Sequence, residues 1–179
     1  PYKRFRIKSL LNGLLISLVC FAIMGVSFPL NETVIFDTRT ILISVTGLIF
    51  GTITTTIVAV SAIVFRIITK PGIGILPGTF SILVSALTGL LWRHCIFKKY
   101  IKWNWLSIYI MSIVTHTIMI LGMFLLPYPM SIEVIKIIAL PIMIIYPTVT
   151  VLLSLTLIKR MELRENQEAR QQSEERFRS

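Results

Sequence analysis

The sequence predicts an all-α integral membrane protein, a polytopic helical bundle built from five long apolar segments. The chain of 179 residues is 55% hydrophobic with a mean hydropathy of +0.82, whereas a soluble domain is about 45–50% apolar. Charged residues make up 15% of the chain and gather in the first eight residues, in 93–102 and after 158. The runs between these clusters are long enough to cross a bilayer, which takes roughly 18 or more apolar residues.

The composition also excludes several functions. The net charge of +10 does not indicate a nucleic-acid partner, because the basic residues flank apolar runs and are typical of topology signals and lipid-headgroup contacts. Cys20 and Cys95 form no CxxC or metal-ligand spacing. The sequence has no Walker-type phosphate loop, no HExxH and no Ser-His-Asp arrangement. We therefore predict no catalysis, no metal and no cofactor for this chain.

The apolar segments conflict with the basic clusters if each segment crosses once. The segments are 10–30, 40–65, 73–92, 105–126 and 132–158. The positive-inside rule places three basic clusters in the cytoplasm. They are the basic residues before the first segment, those at 93–102 and those after 158. Five crossings place the first two clusters on opposite sides, because three segments separate them.

A short hairpin at 40–66 resolves the conflict and gives six crossings with both termini cytoplasmic. Gly51 and Thr52 are the predicted turn, between legs at 39–50 and 53–66. Each leg is only about 18–21 Å long at 1.5 Å per residue, so neighbouring helices must shield it or the bilayer must distort. The alternative is one tilted helix of 26 residues with a basic cluster on the wrong side.

The hairpin returns Arg66 to the same side as Arg39, so the two arginines can converge on a ligand. Arginine forks hold small carboxylates bidentately, and Asp37 either orients one of the arginines or only pairs with it. The alternative is that each arginine is only a snorkelling anchor at a helix end.

The stretch 70–78 holds two prolines and three glycines in nine positions, which predicts a non-helical segment. Irregular backbone at membrane depth is tolerated where it lines a cavity. Gly74, Gly78 and Ser81 are therefore candidates for a cavity floor, unless the stretch is an ordinary surface turn.

Two residues of the later segments are further candidates. His116 lies in the middle of an apolar segment, where an ionisable group is a functional candidate or a neutral ring bonded to a neighbouring helix. Tyr146 lies between Pro141 and Pro147, which are expected to kink or break the last helix. Small-residue positions, by contrast, predict close helix packing; they are Gly47, Gly51 and Gly89.

Residues 159–179 change abruptly to strong helix formers with alternating charges. This pattern predicts a helix that continues from the membrane into the cytoplasm. We divide the chain into a transmembrane domain at 1–158 and a cytoplasmic signalling helix at 159–179.

The order of these motifs resembles the LytS-type five-transmembrane sensor domain. The likeness rests on 37–39 (Asp-Thr-Arg), Gly47-x-x-x-Gly51, Phe65-Arg66, the glycine-rich turn with Gly89, and 139–141 (Ala-Leu-Pro). The tail at 173–179 resembles the entry of a PAS domain.

The resemblance implies an input domain in the cytoplasmic membrane of a bacterium, preceding a histidine kinase or diguanylate cyclase output and expected to be a homodimer. It implies small carboxylates as ligands, with Arg39 and Arg66 as the paired arginines and a polar pair near Gly78 and Ser81. The rival interpretation is the solute-binding subunit of a vitamin-type transporter, for which the polar tail has no evident use.

Overall fold

The computed structural model of the chain is a helical bundle with one short β-hairpin. Its helices are α1 Tyr2–Gly25, α2 Arg39–Phe50, α3 Thr52–Thr69, α4 Ile75–Phe97, α5 Trp105–Leu121 and α6 Met130–Arg178. The antiparallel strands are β1 Phe28–Asn31 and β2 Val34–Phe36. The structure describes the backbone of 2–26, 28–31, 34–36, 38–69, 71–101 and 103–178, and side chains within 6–26, 38–69, 71–101 and 103–174 apart from 165, 168 and 172.

The predicted membrane class is confirmed. Among the described residues, five helices are long and apolar enough to cross a membrane, and α2 is a shorter apolar helix. The first apolar segment ends earlier than predicted, because α1 stops at Gly25 and β1 begins at Phe28. Proline at position 29 cannot continue a helix by hydrogen bonding, and the chain there pairs with β2 instead.

The helix break between α2 and α3 occurs at Gly51, so the single tilted helix is wrong. Gly51 has φ +82°, a left-handed conformation that glycine adopts without steric cost. Gly51 is thus a turn residue and not the packing position that its spacing from Gly47 suggested. Gly47 and Gly89 do pack closely: a methyl group built on Gly47 would lie 3.1 Å from the Cα of Gly89.

Helices α1 and α3 run parallel. Their contacts advance together along both helices, from Ser9 with Thr54 and Gly13 with Ile57 to Ser17 with Ser61 and Phe21 with Phe65. The two serine hydroxyls are 2.8 Å apart, and the two phenyl rings stack with centroids 4.7 Å apart.

Helix α2 runs antiparallel to α3, as the hairpin requires. Ser44 lies against Gly89 and Ile49 accepts a hydrogen bond from Arg93, so α2 and α4 are parallel. Helix α4 in turn is antiparallel to α3, because Arg66 near the end of α3 contacts Gly74 just before α4. The chain therefore reverses direction at Gly51.

The last two helices continue the alternation. The hydroxyl of Thr115 donates to that of Thr88 at 2.8 Å and Trp92 donates to Ser107 at 2.9 Å, so α4 and α5 are antiparallel. Helices α5 and α6 are antiparallel too, since Ser112 pairs with Thr150 and Thr117 with Met143. The start of α1, the α4–α5 connection and the exit of α6 consequently share one end, which we name the basic end. The opposite end, with the start of α2 and the α3–α4 connection, is the distal end.

The short helix α2 is shielded by protein. Ten of its twelve residues are buried, and it contacts every other helix of the bundle. Its last carbonyls would be unsatisfied inside the apolar interior, where such groups cost several kcal/mol. Arg93 of α4 donates Nη1 to the carbonyls of Leu48, at 3.0 Å, and Ile49. This arginine closes the end of a helix that stops within the bundle.

Helix α6 continues through both of its prolines. Pro141 and Pro147 lie inside a helix of 49 residues, so of the two expected effects, a kink or a break, the break does not occur. A proline removes one backbone hydrogen bond, and membrane helices tolerate this loss where neighbouring groups satisfy the freed carbonyl. The helix extends without interruption to Arg178.

Candidate ligand site at the distal end

The two arginines singled out in the sequence both lie in the distal half of the bundle. Arg39 begins α2 and Arg66 lies in the last turn of α3. They are 4% and 6% exposed, which is too buried for side chains that only snorkel to a headgroup region. The structure places both guanidinium groups among packed helices.

Arg66 lies against the start of α4. Its Nε and Nη2 atoms donate to the carbonyl of Gly74 at 3.2 and 2.5 Å. A methyl group built on Gly78 would overlap the Nε and Cζ atoms of Arg66. Gly78 is therefore the residue that makes room for the guanidinium, and Gly74 orients it.

The glycine-rich stretch is more helical than predicted. Helix α4 begins at Ile75 and includes Pro77 and Gly78, so only the residues before 75 are irregular. Proline is accepted in the first turn because its missing N–H has no helical partner there. Ser81 lies one turn further, buried, with its hydroxyl donating to the carbonyl of Gly78 at 2.8 Å. The candidates for the cavity floor thus lie at the start of α4, Gly74 just before the helix and Gly78 and Ser81 within it.

Arg39 lies deeper in the bundle than Arg66. Ser44 contacts Gly89, and Ile49 contacts Arg93. Each residue of α2 therefore lies level with the residue of α4 that is about 45 positions later in the sequence. Arg39 is therefore level with about residue 84, some 9 Å below Gly78 at 1.5 Å per residue. The arginines therefore lie at different levels of the bundle, Arg66 beside the first turn of α4 and Arg39 level with its middle.

The N-terminus of α2 faces the distal end beside Arg39. Thr38 precedes the helix and makes no side-chain capping hydrogen bond. A helix N-terminus carries a partial positive charge and points backbone N–H groups outward. In membrane proteins, such half-helix ends within the bundle are suited to anionic groups. Asp37, the predicted orienting carboxylate, lies outside the described residues.

His116 is fully buried and is hydrogen-bonded through both ring nitrogens. Its Nδ1 lies 2.7 Å from the carbonyl of Ser112, and a carbonyl only accepts, so Nδ1 carries a proton. Its Nε2 lies 3.3 Å from the hydroxyl of Thr40, which donates to it when the ring is neutral. The ring meets Tyr146 edge-on, with centroids 4.9 Å apart. Of the two sequence interpretations, the contacts match a histidine bonded to a neighbouring helix.

A chain of buried hydroxyl groups extends from His116 and was not predicted. The hydroxyl of Ser112 donates to that of Thr150 at 2.9 Å, and Thr150 donates to the carbonyl of Tyr146 at 2.7 Å. Together with Thr40 these groups link α2, α5 and α6. The sequence could indicate only the contact of Ser112 with His116, because these residues are one helical turn apart. It could not indicate their partners on other helices.

Metal chemistry has no support from the described side chains. They contain no group of three or more histidine, cysteine or acidic residues able to hold a metal ion. Cys20 is buried in the core between α1 and α3, Cys95 is partly buried, and neither forms a disulfide bond within the described part of the chain.

The family comparison agrees with the helical membrane fold. The family model described as the 5TMR of 5TMR-LYT matches residues 3–160. The chain is thus a membrane sensory input domain of the kind found in signalling proteins. It belongs to the LytS-type five-transmembrane receptor domain family. No curated protein and no solved structure matches the chain.

Proposed function

We propose that this receptor domain binds a small carboxylate at the distal end and passes the binding event to α6. The observation that supports the proposal best is the burial of Arg39 and Arg66 in the distal half of the bundle. Ionisable side chains within a membrane bundle pair with neighbouring groups and often mark a ligand pathway, and we propose that these two guanidinium groups also serve an anion. Family membership favours this receptor role over the transport subunit.

The chemistry of the distal end suits a carboxylate. Arg39 and the N-terminus of α2 supply positive charge on the side toward the bundle interior. Arg66 supplies it beside the first turns of α4. Charge-assisted hydrogen bonds from guanidinium to carboxylate are about twice as strong as neutral ones. Thr79, next to Gly78, adds a buried hydroxyl that makes no hydrogen bond within the described part of the chain. Buried hydroxyls normally have a partner, so this group is a candidate donor to the ligand.

The relay we propose begins next to Arg39. Thr40 follows Arg39 on α2 and is bonded to His116, which is connected through Ser112 to Thr150 on α6. A ligand that displaces the start of α2 changes this hydrogen-bond chain and so the packing of α6. A ligand shifts such an equilibrium only by its different affinities for the two packings.

The orientation in the membrane follows from the charges. Basic residues lie at the basic end on α1, in the α4–α5 connection and on α6, among them Arg6, Lys99 and Arg160. By the positive-inside rule this end is cytoplasmic and the distal site is extracytoplasmic. We further propose the cytoplasmic membrane of a bacterium, a homodimer, and an output domain of kinase or diguanylate cyclase type after the helix at 159–179.

The test is a thermal-unfolding screen of the purified domain against small carboxylates. Wild type is compared with Arg39→Ala and Arg66→Ala, and with Arg160→Ala at the basic end as the matched control. Ligand at a hundred times its Kd raises the free energy of unfolding by about 2.7 kcal/mol. We expect one acid to stabilise wild type and Arg160→Ala and to leave both distal variants unchanged. Stabilisation that survives both distal substitutions excludes the arginine site.

A further inference from the structure

A groove with exposed apolar side chains lies between α1 and α3. Its volume is about 930 Å³. Two hydroxyls, those of Ser17 and Ser61, lie along it, and the stacked rings of Phe21 and Phe65 line its distal part. The other lining side chains are aliphatic apart from Thr56: Leu14, Leu18, Ile57, Val60, Val64 and Ile68.

The rim of the groove fits an acyl chain better than another helix. Helix–helix interfaces in membranes are enriched in small residues that let backbones approach closely. Here Gly13 and Ser17 already make the contact of α1 with α3. The remaining rim consists of large branched side chains, with Leu14 60% exposed and Val60 54% exposed. Flexible hydrocarbon fills the space between such side chains, whereas a helix about 10 Å wide does not enter it.

Positive charge lies where the headgroup of such a lipid would be. The first eight residues contain four basic and no acidic residues. Among them, Arg6 and Lys8 are exposed and lie about 9–12 Å from Leu14 toward the basic end at 1.5 Å per residue. Long basic side chains near a helix end reach the interface and attract anionic lipid, at about 1 kcal/mol per charge.

We propose that the groove binds an acyl chain of an anionic phospholipid from the leaflet at the basic end, with its phosphate on Arg6 and Lys8. Half of a hydrocarbon core of roughly 30 Å is about 15 Å. Phe21 lies about 20 Å from Lys8 along α1, so the stacked ring pair lies just past the reach of a chain from that leaflet. The site is separate from the carboxylate site and does not depend on it.

The test is native mass spectrometry of the purified domain with phosphatidylglycerol and with phosphatidylcholine of identical acyl chains. We expect phosphatidylglycerol to bind more tightly, and Arg6→Gln and Lys8→Gln each to weaken it about fivefold. Val60→Trp fills the groove and is expected to remove the bound lipid. Leu87→Trp on α4, where the native side chain is 57% exposed, is the matched control and should leave binding unchanged.

Several results overturn the proposal. Equal binding of the two lipids excludes headgroup recognition at Arg6 and Lys8. Retention of phosphatidylglycerol by Val60→Trp excludes the groove as its site. A dimer that Val60→Trp dissociates, with lipid binding unaffected by either charge variant, identifies the groove as a contact between two copies of the chain.

Discussion

The Nε2 atom of His116 lies 3.3 Å from the hydroxyl oxygen of Thr40. Both residues are buried, and Thr40 directly follows Arg39 at the start of α2. This pair therefore connects the helix that begins at the candidate ligand site with α5, and through Ser112 and Thr150 with α6. In the proposed relay, Thr40 is therefore the first residue after the ligand-binding Arg39.

Replacing Thr40 by valine tests that connection, since valine keeps the shape and removes the hydroxyl. We expect Thr40→Val to lower the free energy of unfolding by about 1 kcal/mol, the net value of a hydrogen bond. Ligand should still bind, but ligand-dependent hydrogen exchange in residues 159–174 should disappear. Thr148→Val on α6 is the control, because the hydroxyl of Thr148 is exposed and bonds only within its own helix. A ligand response that persists in Thr40→Val contradicts the relay.

Replacing Gly78 by alanine tests whether ligand binding needs Arg66 in its present position against α4. The added methyl group overlaps the guanidinium, so either the arginine or α4 must move. We expect the carboxylate-induced rise in unfolding temperature to be lost, together with about 1–3 kcal/mol of stability from overpacking. Gly25→Ala is the matched control, because a methyl group there meets no atom within 4 Å. An unchanged ligand response in Gly78→Ala shows that Arg66 does not need its present position to bind.

Replacing Gly89 by alanine tests the close approach of α2 and α4. The new methyl group would overlap the carbonyl oxygen of Ser44, a backbone atom that cannot rotate away. We expect a loss of about 1–3 kcal/mol, measured by thermal unfolding against Gly25→Ala. A variant as stable as that control shows that the helices separate at little cost.

The positions of the basic clusters and one glycine predicted most of this fold. The positive-inside conflict required an extra reversal within 40–66, and Gly51 was the residue able to make it; the structure places the break there. Long apolar runs determine helices locally, so their number needed no knowledge of packing. The small β-hairpin and the helical state of Gly78 were not predicted, because pairing and a proline-containing first turn depend on context.

The site was predicted only in part, for a related reason. Arg39, Arg66 and His116 were identifiable because charge or ionisable groups within apolar runs are rare. The hydroxyl of Thr40 looked like an ordinary helix position, and the fit of Arg66 over Gly78 involves residues on different helices. Arg93 belonged to a basic cluster and was interpreted only as a topology signal. Its hydrogen bonds to α2 require the three-dimensional register of α4.

Arg93 provides the last prediction. Its Nη1 donates to the carbonyls of Leu48 and Ile49, and its guanidinium lies 4.8 Å from the ring centroid of Phe97. Arg93→Met keeps much of the side-chain length and removes every donor. A buried acceptor left unsatisfied costs about 1–3 kcal/mol, so two of them make this the most destabilising substitution among those considered.

The measurement is denaturant unfolding of the purified domain in detergent, with Lys98→Met as the control because Lys98 is exposed beyond the end of α4. Arg93→Lys should recover part of the loss. An ammonium group has three donors for the two carbonyls, but it lacks the fixed planar geometry of the guanidinium group. If Arg93→Met unfolds at the same denaturant concentration as Lys98→Met, water satisfies the end of α2. In that case the Gly51 turn is open to the cytoplasmic side, and packing against the other helices holds α2 without this hydrogen-bonded end.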